Sequence, residues 1–219
     1  MYKIYFENRQ IDICDENERY IEDANSVVLR MGGGQDFGQC DSEVRCKSYL
    51  GPLIEMFETS ESLRKLYIPS RNPDRFFKQI CKCFSEIDAG GGLVKNKRGD
   101  FLMIFRNGKW DLPKGKREKG EKKASAALRE VMEETGLKDL EAGEIICVTH
   151  HCYRWKGKGE LILKHTYWYS MEYTVPVELI PQTEEDITKA AWIAPSSLPQ
   201  FLDNTYPSIV EVFKEARII

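Results

Sequence analysis

Between residues 115 and 137 the chain reads GKREKGEKKASAALREVMEETGL, and three of its acids, Glu130, Glu133 and Glu134, are spaced for one side of a helix. Successive helical residues turn by about 100°. These carboxylates therefore share one arc, beside a second arc that holds Ala124, Ala127, Leu128 and Val131. The second arc is a stripe fit for burial. Like charges so close repel, at a cost on the order of a few tenths of a kcal/mol per exposed pair, and each raises the others' pKa. A hard divalent cation such as Mg²⁺ or Mn²⁺ reverses that penalty: it accepts carboxylate oxygens and keeps sites for water and phosphate. The plain alternative is a solvated face in which Arg129 and Glu133 form an ordinary i,i+4 pair. Gly136 is placed to end the helix in a left-handed conformation.

Such a helix must be held against a sheet, and the surrounding sequence supplies strands. AGGGLV and DFLMIF flank the polar turn KNKRG, the pattern of two strands. A lysine-rich loop follows, then the acidic helix. Three further strands are expected over residues 144–149, 161–173 and 190–193. A last helix is expected over 208–217, with Ile209, Val212, Phe213 and Ala216 on one face. The first 85 residues read differently. MYKIYFENRQIDIC alternates around ENRQ as a hairpin does, residues 26–30 and 63–68 are short apolar runs, and Asn72-Pro73-Asp74 opens a helix carrying Phe77, Ile80, Cys81 and Phe84. The expected organisation is a small α+β domain over 1–85 and a larger α/β domain over 86–219. RMGGGQ lacks the Lys-Ser/Thr ending of a phosphate loop and the spacing of a dinucleotide fold, so it reads as a flexible turn.

Composition narrows the classes. The chain has 219 residues, 42% hydrophobic and 31% charged, with a formal charge of −3. That suits a globular protein and argues against nucleic acid as partner. From residue 95 to 123, however, eleven Lys/Arg face four Asp/Glu, a local charge of +7. No apolar run reaches the roughly 18 residues of a membrane span, and MYKIYFENRQ lacks the apolar core of a signal peptide. Seven cysteines without framework spacing read as reduced thiols of a cytoplasmic protein. Cys81 and Cys83 with His150 and His151 fit no zinc spacing well, and buried thiols account for them better.

The complete pattern around the acids is more specific than the acids themselves. It runs Gly115, five residues, Glu121, seven residues, then Arg129-Glu130-Val131-x-Glu133-Glu134-x-Gly136-Leu137. Its seven Gly, Glu and Arg positions alone, at roughly 5–7% usage each, coincide by chance on the order of once in 10⁸ starting points. This is the Nudix box, and residues 86–219 resemble Nudix hydrolases; residues 1–85 lie outside the resemblance. AGGGLV and WDLPKGK are similar to the family's flanking segments.

The resemblance implies an α/β/α sandwich with a mixed sheet and hydrolysis of a nucleoside diphosphate linked to another moiety. It implies Glu130 and Glu134 as principal ligands of Mg²⁺ (or Mn²⁺), with Glu133 as a further ligand or base and a backbone carbonyl at Lys114–Gly115 beside them. Arg129 and Glu121 would orient the ligands. The family often draws a general base from a later loop; in TEEDITKAAWI the candidates are Glu184 and Glu185. Lys114, Lys116 and Arg117 could bind outer phosphates, and each could equally be plain loop surface. Tyr153 and Arg154, within HCYRWKGKGE, could meet a base and a phosphate. WDLPKGK and KHTYWY are closer to hydrolases of dinucleoside polyphosphates and diphosphoinositol polyphosphates than to sugar-nucleotide hydrolases. A function of another class, a non-catalytic nucleotide sensor, would have no need of every acid. The first 85 residues could serve a homodimer interface or wall the pocket.

Overall fold

The computed structural model describes residues 1–19, 23–29, 43–155, 157 and 159–219. RMGGGQ lies outside them. The chain divides into two compact units, one of residues 1–86 with 150–163, the other of residues 87–149 with 164–219. The sequence places the division at 85/86. The structure places it at 86/87 and adds to the first unit a segment from far along the chain.

The first unit opens with the expected hairpin, β1 (Tyr2–Phe6) and β2 (Arg9–Asp15), antiparallel across a two-residue turn with Glu7 at φ 55°. β3 (Ser26–Val28) and β4 (Lys65–Ser70) pair in parallel, and β4 pairs in parallel with β2. Between them runs α1 (Glu43–Thr59), a helix the sequence reading lacked. Gly51-Pro52 in its middle looks like a breaker, because proline removes one i→i−4 bond. Tertiary burial of Cys46, Leu50, Ile54 and Phe57, a helical stripe, overrides that local signal. Arg9 ties down the end of α1, donating to the carbonyls of Phe57 and Ser60 at 2.6 Å and of Glu58 at 2.9 Å. α2 (Pro73–Cys81) starts as expected, with the Asn72 side chain accepting from the Arg75 N–H at 2.9 Å. Its buried face differs by one residue. Phe76, Ile80 and Cys81 enter the core, whereas Phe77 stacks on Tyr2 at 4.2 Å. Ile4, Ile11, Ile13, Leu66 and Ile68 complete that core together with Cys152 and Leu163, which is why residues 150–163 belong here. His150 packs on Phe77 at 4.6 Å, and burial pushes the Cys81 thiol up to about 12. A buried thiol at that pKa is inert.

The second unit is built on β5 (Ser85–Asn96), β6 (Phe101–Arg106), β9 (Ala142–Arg154), β10 (Leu161–Tyr173) and β11 (Ile187–Ile193), in the order β11-β6-β5-β10-β9. The inner ends of β9 and β10 lie in this unit and their outer ends in the first. Short strands β7 (Lys109–Asp111) and β8 (Lys114–Lys116) pair antiparallel with β6 and β5. With parallel pairs in the first unit, the strand pairing of the chain is mixed. The pleat of β5 and β6 divides two cores. Leu93, Phe101 and Met103 meet Ile209, Val212 and Phe213 of α5 (Pro207–Glu215), while Val94 and Leu102 meet Ala127 and Val131 of α3 (Lys123–Thr135). Each large buried apolar side chain contributes about 1.5–3 kcal/mol. The result is a sheet with a helix on each face, the α/β/α arrangement expected. A single turn at Thr183–Glu185 precedes β11, and α4 (Leu198–Leu202) precedes α5. The glycines of β5 let α3 approach, since a Cβ on Gly90 would lie 2.4 Å from the Ala127 nitrogen. Among the described residues no helix is long and apolar enough to cross a membrane.

Candidate active site

α3 runs from Lys123 to Thr135 and ends on Gly136 at φ 74°, the left-handed cap read from the sequence. Its buried side holds Ala126, Ala127 and Val131, and two acids go down with them: Glu130 is 6% exposed and Glu134 is 0% exposed. The Glu133 side chain remains 49% exposed. The shared arc of carboxylates is thus split by depth.

Arg129 gathers the acids. Its Nε and Nη2 donate to the two oxygens of Glu121 at 2.9 and 3.1 Å, and Nη1 donates to Glu130 Oε1 at 2.7 Å and Glu133 Oε2 at 2.9 Å. Nη2 also donates to the Lys116 carbonyl at 3.0 Å, which fixes the loop against the helix. This planar fork, with several donors in fixed directions, is suited to holding several carboxylates at once. The hydrogen bond from Arg129 holds the Glu121 carboxyl below its usual range, while Glu121 Oε2 also accepts the Glu118 N–H at 2.9 Å. Burial pushes the Glu130 carboxyl up against the pull of Arg129, and the charges of Glu185 and Glu133 push the same way. Glu185, on the turn before β11, is therefore close enough to the box to be felt by it.

Glu134 has different partners. Its Oε2 accepts the Lys114 backbone N–H at 2.9 Å, and its Oε1 faces Arg106 Nη1 at 3.3 Å. Burial raises this carboxyl to about 7, against the opposing charges of Lys114 and Arg106. The same Arg106 nitrogen lies 3.7 Å from Glu185 Oε2.

The loop explains its glycine. β8 pairs Gly115 with Gly90 of β5, and a Cβ on Gly115 would lie 1.9 Å from Glu130 Oε2. The carboxylate therefore rests on bare backbone. Gly115→Ala is expected to displace Glu130 and to lower kcat at least about tenfold with a much smaller change in Tm, because a misplaced catalytic group loses rate steeply. Steady-state kinetics beside thermal unfolding checks this; wild-type kcat in the alanine variant would refute it.

The basic residues proposed from sequence are placed unequally. The Lys114 ammonium turns onto Asp111 at 2.5 Å, and Asp111 is buried and also accepts the Leu112 N–H at 2.8 Å. Arg117 pairs with Asp88 at 3.2 Å and donates to the Glu121 carbonyl at 3.0 Å, so it acts as a staple of the loop. Lys116 is exposed on β8. Tyr153 and Arg154 belong to the first unit, and Arg154 is paired there with Glu58. Glu184 sits exposed on the same turn as Glu185.

Three residues escaped the sequence reading. Arg106 and Asp111 have just been placed. The third is Lys164, at the start of KHTYWY, whose ammonium is brought down to about 8 by desolvation first and then by the charge of Lys114, with Asp111, Arg106 and Glu134 also facing it. Its signal in the sequence was its place at the head of KHTYWY, after the apolar Leu161-Ile162-Leu163.

A family model described as the NUDIX domain matches residues 87–214. The chain belongs to the Nudix family. It is a hydrolase acting on phosphorus-containing anhydrides. Solved structures similar to it include a C. elegans Ap4A hydrolase in a binary complex, at 22% identity over 60% of this chain and 95% of that one, TM-score 0.47. A MutT protein from Methanosarcina mazei Go1 matches at 22% identity over 62% and 94%, TM-score 0.45, and a NUDIX hydrolase from Nitrosomonas europaea at 18% over 61% and 89%, TM-score 0.46.

Nudix hydrolases generally use divalent metals, and this site suits one. Its donors are hard carboxylate oxygens, two of the acids are buried, and Gly115 leaves the Glu130 carboxylate a cradle that any side chain would fill.

Proposed function

We propose that this Nudix enzyme is a Mg²⁺- or Mn²⁺-dependent pyrophosphohydrolase of a nucleoside polyphosphate, with dinucleoside polyphosphates the first choice and diphosphoinositol polyphosphates the second. One observation carries the reading: a single guanidinium, Arg129, collects Glu121, Glu130 and Glu133, while Glu134 is buried one turn on from Glu130. Glu130 and Glu134 would hold the metal, Glu133 would add a ligand or a base, and the Gly115 segment would flank them. When bound, a divalent ion supplies charge neutralisation at the pyrophosphate and a lower pKa for an attacking water.

The chain's own residues do the rest. Arg129 and Glu121 fix the ligand side chains, so little reorganisation is left for the reacting state. Glu185, more exposed and within reach of the box electrostatically, is the candidate to take the proton from the attacking water. Lys116 is exposed beside Gly115, and Lys164, Arg106 and Lys114 add positive potential around Glu134, the last two while paired with acids. The exposed lysine and this potential support a longer phosphate chain.

A phosphate-release panel with Mg²⁺ or Mn²⁺ tests the substrate. A dinucleoside tetraphosphate is expected to exceed ADP-ribose in kcat/KM by at least about tenfold, or about 1.4 kcal/mol of transition-state binding. ADP-ribose as the best substrate would overturn the polyphosphate reading, and a diphosphoinositol polyphosphate as the best would favour the second choice.

A further inference from the structure

Arg106 ends β6, its side chain is 25% exposed, and among the described residues that side chain pairs with two carboxylates, Glu134 at 3.3 Å and Glu185 at 3.7 Å. Glu134 is fully buried, and both of its oxygens are engaged. The two engagements differ in kind. Lys114 offers a backbone N–H that is fixed while β8 stays paired to β5. Arg106 offers a partly exposed side chain at a long hydrogen-bond distance. The Lys114 ammonium, another basic group facing Glu134, is committed to Asp111.

We propose that Arg106 is a built-in stand-in for the cation, holding Glu134 and Glu185 while no metal is bound and yielding Glu134 Oε1 when a divalent ion arrives. It is a positioning residue that acts through these two acids, and it sets the metal affinity of the site. The inference rests on Glu134 being a metal ligand. A buried carboxylate with no counter-charge is costly, so Arg106 stabilises the metal-free protein. The same charge repels an incoming divalent ion, so that stabilisation weakens metal binding. Arg129 differs, because its two bonds to Glu121 and its bond to the Lys116 carbonyl anchor it whether or not Glu130 and Glu133 turn to a metal.

The test is Mn²⁺ binding to the full chain without substrate, followed by the electron paramagnetic resonance of free Mn²⁺. Arg106→Gln is expected to bind Mn²⁺ about tenfold more tightly than wild type. Without metal it should unfold at a lower temperature, and saturating Mn²⁺ should raise its Tm by more than it raises that of wild type. Arg106→Lys, which keeps the charge, should bind within about threefold of wild type. Equal or weaker binding by the glutamine variant overturns the proposal while leaving the metal site intact, and so does a lysine variant that tightens as much as glutamine. Wild type that binds no Mn²⁺ overturns both this proposal and the metal-site reading. If the glutamine variant does not fold, wild type alone decides by labelling with phenylglyoxal and peptide mass spectrometry. Mn²⁺ should increase modification at Arg106, and unchanged or reduced modification overturns the idea.

Discussion

Glu134→Gln is expected to lower kcat by at least about 10²-fold while the protein keeps its fold, with a smaller loss of melting temperature. Few substitutions separate catalysis from stability so cleanly. Glutamine has the size and helix preference of glutamate, and its amide oxygen can still accept the Lys114 N–H that Glu134 Oε2 accepts at 2.9 Å. What disappears is the charge, in a position with no exposure to solvent. The amide NH2 left facing Arg106 costs some stability, which Arg106 limits by keeping Glu185 as a partner. Glu130→Gln should lose activity comparably, with some loss of stability because Arg129 Nη1 gives up a charged acceptor at 2.7 Å. Glu133→Gln, at a half-exposed position, should be comparable or milder. Turnover at saturating Mg²⁺ beside thermal unfolding reads all three. Wild-type kcat in both buried-site variants would leave the box without a catalytic role.

The acids of that box were legible in the sequence because their arrangement is local. Twenty-three residues of loop and helix carry Gly115, Glu121, Arg129 and the three glutamates, and helical geometry alone puts the last three on one side. Their split by depth was not legible, because it depends on how far α3 sinks onto β5, and that depends on Gly90. Arg106, Asp111 and Lys164 were missed for a related reason: they lie on β6, β7 and β10, and no periodicity links them to a helix elsewhere in the chain. Arg117 and Arg154 looked like ligands for phosphate because the chain around each is rich in lysine. The structure pairs them with Asp88 and Glu58, partners 29 and 96 residues away. In the first unit, Gly51-Pro52 concealed α1, since local propensity disfavours helix there and only the burial of Leu50, Ile54 and Phe57 overrides it. Residues 150–163 show the same limit at a larger scale. The sequence reading ends a strand at residue 149, whereas β9 runs on to Arg154, and Cys152 of β9 and Leu163 of β10 are buried in the core of the first unit. A cut near residue 85 would strip that core from these strand ends.

Exhaustive chelation is expected to reduce turnover to about one-thousandth or less, and Mg²⁺ or Mn²⁺ should restore it. The electrostatics of the site require this. Glu130, Glu133, Glu134 and Glu185 converge on one region, and the arginines nearest them, Arg129 and Arg106, are already bound to those acids and to Glu121. With both guanidiniums so committed, an arriving phosphoanhydride meets carboxylates at the point where its scissile bond would have to lie. Lys116, exposed on β8, lies outside this acidic centre and does not reverse its sign. A divalent ion does reverse it, and stabilisation of transition-state charge by several kcal/mol corresponds to about 10³-fold or more in rate. Chelation should leave the fold standing, because the same two arginines continue to offset the buried charges of Glu130 and Glu134. Melting temperature should therefore shift by only a few degrees, about 1 kcal/mol, while activity vanishes. Hydrolysis that continues undiminished in protein shown by elemental analysis to be metal-free would mean that the carboxylates of α3 do not hold the catalytic charge.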